Sequence, residues 1–147
     1  MNAGQKCYNT NGINQILADH SVPREVDLLS LDIDMDTHHV WEKLEYLSPK
    51  FAVVEYNGFF PRSALWKSKY VEGEAWDGTI NMGASLDELT DIGSRKDFRL
   101  IGCELTGTNA FFASKGLAEK YFPDREETNN LHEPSRHFLI NDPEHEK

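Results

Sequence analysis

Three carboxylates, Asp32, Asp34 and Asp36, fall within five residues and are followed at once by His38 and His39. Oxygen and nitrogen donors so close together suit a hard or borderline divalent ion, with Asp34, Asp36 and His38 as the ligand set. The same residue types also suit a helix start, where an aspartate caps the first-turn amides and both histidines stand on a solvated turn. Further along, the apolar run 51–54 ends in Glu55, Tyr56 and Asn57. A carboxylate at the end of a strand lies where open α/β sheets bind ligands, so Asp34 and Glu55 are the candidate acid/base or metal-holding pair. A hydrogen bond from Glu55 to a loop amide is the structural alternative. Tyr56, Asn57, Trp76 and Asn109 are candidate substrate contacts. The aromatic residues serve equally as packing for a long loop, and Asn109 as part of the GTN turn. No Ser/His/Asp or Cys/His hydrolase arrangement stands out, since Cys103 has no motif neighbour.

The elements that must position these residues follow from apolar spacing. Ile13, Ile16 and Leu17 share one face of a short helix, and Pro23 marks the turn after it. Residues 26–32 are apolar at both alternating sets of positions, which predicts a central strand buried on both sides of a parallel sheet. A helix carrying Val40, Leu44 and Leu47 leads to a second strand that begins at Phe51. Strand, helix and strand in about 30 residues make a βαβ unit with parallel strands. Residues 58–82 lose periodicity and form a long loop over the strand ends. A helix over 83–94 has Ser85 as cap with Glu88 three residues on. Residues 98–103 and 108–113 flank a turn and predict an antiparallel hairpin. The reading is an α/β domain over residues 1–122 with a sheet of about four strands, followed by a polar tail over 123–147 that packs only locally.

Acidic residues number 25 against 15 basic ones, giving a net charge of −10. That field repels phosphate backbones and anionic lipid, so nucleic acid and membrane are not expected partners. No apolar run approaches the ~18 residues of a membrane span, and the amino terminus lacks a secretory signal, so a cytoplasmic location is expected. Cys7 and Cys103 have no zinc spacing and are expected to stay reduced.

The strings DLLSLDID, VVEYN, WDGTINMGASLDEL, FRLIGCELTGTNAFFA and EPSRHFL occur in that order over most of the chain. Together they resemble the carboxyl-terminal half of FkbM-type and related class I S-adenosylmethionine-dependent methyltransferases. The resemblance implies a truncated, Rossmann-like, mostly parallel sheet that ends in an antiparallel hairpin. Residues 26–33 would be the fourth strand of the family fold and 51–56 the fifth. The family's first strand, with its glycine-rich turn for the methyl donor, has no counterpart here, and Met35 and Thr37 replace a family glycine and acid. The implied function is a methyltransferase-related protein that does not bind S-adenosylmethionine alone and is inactive or complemented by a partner chain. In the family strand Val26–Ile33 pairs with the first strand, so its outer edge is expected to be covered by residues 1–20, a second copy of this chain or a complementing polypeptide. A noncatalytic binding or assembly module, using that edge and the aromatic loop, is the alternative.

Overall fold

Small and large apolar residues alternate at Ala52 and Val54 on one strand and at Ala110 and Phe112 on another, so every second side chain faces the same way. In the computed structural model, which describes residues 12–71, 78–123 and 131–136, these side chains line the main core. The elements run α1 (Ile13–Asp19), β1 (Glu25–Leu31), a single 3-10 turn at Asp34–Asp36, α2 (Thr37–Lys43), β2 (Ser48–Glu55), α3 (Leu86–Arg95), β3 (Phe98–Cys103), β4 (Asn109–Ser114) and α4 (Lys115–Tyr121). The four strands form one sheet in the order β1-β2-β4-β3. β1 and β2 are parallel, whereas β4 is antiparallel to both β2 and β3. The fold is therefore α/β with a mixed sheet, and the expectation of a mostly parallel one is corrected. The last strand inserts between β2 and β3, which converts two of the three pairings to antiparallel.

Helices α2 and α3 cover one face of the sheet. Trp41 of α2 is buried, with its ring 4.6 Å from that of Phe112 and 6.4 Å from that of Phe98. Leu86, Leu89 and Ile92 of α3 join the same cluster. Ser85 begins α3 as expected: its Oγ accepts from the Glu88 amide at 3.3 Å and from the Trp66 amide at 3.2 Å. Ser85→Ala should cost about 1 kcal/mol, read as a lower urea midpoint at unchanged slope. On the opposite face Arg99 donates to the carbonyls of Ala118 and Phe122, which draws α4 across β3 and β4. α4, with no capping side chain, was not foreseen from the sequence.

The prediction that residues 26–32 form a central strand is overturned. Among the described residues β1 is an edge strand, Leu31 is its one buried residue, and Leu28 is 59% exposed. A continuous apolar run implies burial only where both faces are covered, and α4 reaches only β3 and β4 on the second face. β2 holds the central place.

The tail prediction is corrected as well. Leu131 packs against the core cluster, the Tyr56 hydroxyl donates to the Glu133 carbonyl at 2.5 Å, and the amides of Ser135 and Arg136 donate to the carbonyls of Gly58 and Thr106. Backbone fits closely against backbone here. A Cβ on Gly58 would lie 2.3 Å from the Gly107 carbonyl oxygen, and one on Gly107, where φ is +75°, would lie 2.4 Å from that of Pro134. Such contacts leave no apolar periodicity to read. Among the described residues no helix is long and apolar enough to cross a membrane.

Candidate functional site: a carboxyl pair at the strand ends

Leu31 stands opposite Val54 in the parallel register, so Asp32 and Glu55 are the next neighbours, and Glu55 in turn stands opposite Asn109. Asp32, Glu55 and Asn109 thus form a row across three strands at the carboxyl ends of β1 and β2. Thr37 ties the row to α2: its Oγ accepts from the Ile33 amide at 2.8 Å and donates to Glu55 Oε2 at 3.3 Å.

The Glu55 carboxyl is pushed up from 4.5 to about 7, first by burial and next by the negative charge of Asp32. The Thr37 hydrogen bond opposes the rise. A hydrogen bond to Asp32 and the charge of Asp34 add to it. Protonated Glu55 can donate to Asp32. A carboxyl that exchanges its proton near neutral pH has the balance a general acid or base needs.

Asp34, expected as the partner of Glu55, is exposed and acts on it only through its charge. Its backbone sits at φ +44°, a left-handed conformation that aspartate tolerates better than most residues. This turn sends the chain away from the sheet, and Asp32, the last acid in line with β1, becomes the closer partner.

The proposed metal set does not assemble. Among the described residues no group of three or more His, Cys, Asp or Glu side chains is placed to hold a metal ion. His38 is fully buried and does not stand on a solvated turn. Its Nε2 and that of His39 both reach the Ser68 carbonyl, at 3.2 and 3.1 Å, with the two rings 3.9 Å apart. The His38 imidazole is held down to about 4, first by burial and next by the neighbouring His39. Burial lowers His39 too and raises Asp36. Neutral imidazoles donating to one carbonyl clamp the long loop against α2.

Asn57 and Tyr56 also serve the scaffold. The Asn57 amide donates to the carbonyls of Ile80 and Met82, at 2.7 and 2.9 Å, and its oxygen accepts from the Phe59 amide. With both donors used, the side chain latches the loop to the end of β2. The Tyr56 ring is buried and its hydroxyl is raised by burial and by Cys103. Cys103 has no disulfide and its thiol is raised to about 11 by burial. Trp76 and Cys7 lie outside the described residues. Of the sequence-predicted residues, Glu55 and Asn109 are brought side by side. Asp32 and Thr37, which complete the row, carried no site role in the sequence reading; the strand-to-helix turn after Leu31 was the signal that could have picked them out.

A cleft of about 730 Å³, lined by Trp41, Leu44, Pro49, Lys96, Phe98 and others, opens at the opposite end of β2. None of the three row residues lines it. The cleft wall mixes both signs of charge, and burial lowers Lys96 within it. Comparison of the chain with protein-family models, with curated proteins and with solved structures finds no match.

Proposed function

We propose that this chain is a methyltransferase-related α/β protein whose 147 residues do not themselves build a site for S-adenosylmethionine, so that it is inactive by itself. The observation that supports this reading is the order of elements: a parallel strand pair joined through a helix, then a terminal hairpin, with an acidic row at the carboxyl ends of the parallel pair. This order supports the resemblance to the later half of the family sheet, with the difference that the sheet here is mixed. Between Met1 and Arg24 the glycines are Gly4 and Gly12, which do not make the glycine-rich turn that lets backbone approach a nucleotide-type ligand. Within such a scaffold Glu55 holds a proton at the substrate end, with Asp32 and the Asn109 amide beside it. Calorimetric titration of the chain with S-adenosylmethionine should show no saturable heat up to millimolar ligand. Saturable binding in the micromolar range would refute the reading. The alternative, a noncatalytic assembly module, draws its support from the open edge of β1.

A further inference from the structure

We infer that the outer edge of β1 pairs antiparallel with β1 of a second copy of this chain, about a two-fold axis at Leu28, so that Arg24 of each copy faces Asp32 of the other. The inference does not depend on the methyltransferase reading. β1 is seven residues long, its register against β2 is unbroken, and among the described residues no strand lies on its other side. Its sequence, EVDLLSL, carries no proline, lysine or bulge, the devices that most often block strand addition. Unpaired backbone donors and acceptors therefore stand in line beside Leu28, which is 59% exposed. Helix α1 does not occupy this edge: Ile13 packs against the core cluster, and Asn14 bonds to Lys43, Glu45 and Tyr46 at the end of α2.

Charge selects the occupant and the register. Registers that keep both helix-covered faces on one side move the axis along β1 one residue at a time. With the axis on Asp27, the two Asp27 carboxylates oppose each other directly, which is unfavourable. With the axis on Leu29, Leu28 faces Ser30 and Val26 faces Asp32. Only the axis on Leu28 stacks the two exposed leucines, sets Glu25 against Leu31 and Asp27 against Leu29, and places Arg24 against Asp32 at both ends. Asp27 is meanwhile paired with Lys50 of its own sheet at 2.6 Å. Arg24 makes no ion pair among the described residues, and its guanidinium lies over the Tyr46 ring at 4.6 Å. A stacked guanidinium keeps its edge N–H groups free to grip a carboxylate. Because Asp32 belongs to the Asp32–Glu55–Asn109 row, the second copy adds a cation to the carboxyl pair.

Light scattering coupled to size exclusion, in 0.15 M salt where repulsion between two acidic chains is screened beyond about 8 Å, should give twice the 16.8 kDa chain mass at tens of micromolar. Arg24→Asp and Asp32→Arg should each weaken the dimer by about tenfold or more, and the double variant should recover it to within about threefold of the parent. Leu28→Lys, at an exposed position that folding tolerates, should be monomeric with an unchanged circular dichroism spectrum. A parent chain that stays monomeric at 200 micromolar would overturn the inference. So would a dimer that survives both single charge changes, or a double variant that is folded and does not recover.

Discussion

Glu55→Gln makes the protein more stable at pH 8 by on the order of 2 kcal/mol, and the gain disappears at pH 4. The folded carboxyl keeps its proton up to about pH 7, while the unfolded chain releases it near 4.5. Between those values the native state binds more protons than the unfolded state, so stability falls as pH rises through the window and stays low above it. The rise corresponds to on the order of 3 kcal/mol at full strength, which solvent screening of a partly exposed group reduces to about 2 kcal/mol. Glutamine removes the titration, keeps the shape and still donates to Asp32. Urea unfolding at pH 4, 6 and 8 provides the test, carried out in the Leu28→Lys background so that no second copy adds its charge. A difference that does not change with pH would mean that Glu55 ionises like an ordinary surface glutamate. His38 acts in the opposite direction: its folded imidazole resists protonation down to about pH 4, so stability is lost as pH falls below about 6.5. That loss is common to both proteins and cancels in the comparison.

Gly107→Ala lowers stability by about 3 kcal/mol or more. Its backbone lies at φ +75°, where a Cβ is strained, and the added carbon meets the Pro134 carbonyl, which is backbone and cannot rotate aside. Relief requires 131–136 to lift away from the β3–β4 turn, releasing the amide bonds to Gly58 and Thr106. Gly116→Ala is the control. It lies in α4 with open space around its Cβ position, and the substitution should stabilise by about 0.5–1 kcal/mol. A loss at Gly107 no larger than that of an ordinary surface change would show that 131–136 does not press on the turn.

Much of the scaffold was legible because its signals are local. The Ser85 cap with Glu88, the turn between β3 and β4, and the spacing of Leu86, Leu89 and Ile92 each reflect contacts within a few residues along the chain. Glu55 was legible for a similar reason, since an acid that ends an apolar strand beside another acid marks a sheet end. Its stronger tie to Asp32 than to Asp34 was hidden, because it depends on where the chain leaves the plane of β1. The partners of Tyr56 and Asn57 in the scaffold were hidden, because the groups they bond, at Glu133, Ile80 and Met82, are distant in sequence.

By itself the amino-acid sequence determined the segments that become the four strands and the helices ahead of β3, the net negative field, and the placing of acids at strand ends, since propensity, apolar period and charge are properties of neighbours along the chain. Only the tertiary structure decided that β1 is an edge, that the last strand inserts beside β2, that His38 is buried and neutral, and that 131–136 closes against Gly58 and Gly107. Each of these depends on which surfaces meet across space, and a strand's own residues carry no record of whether anything covers its second face.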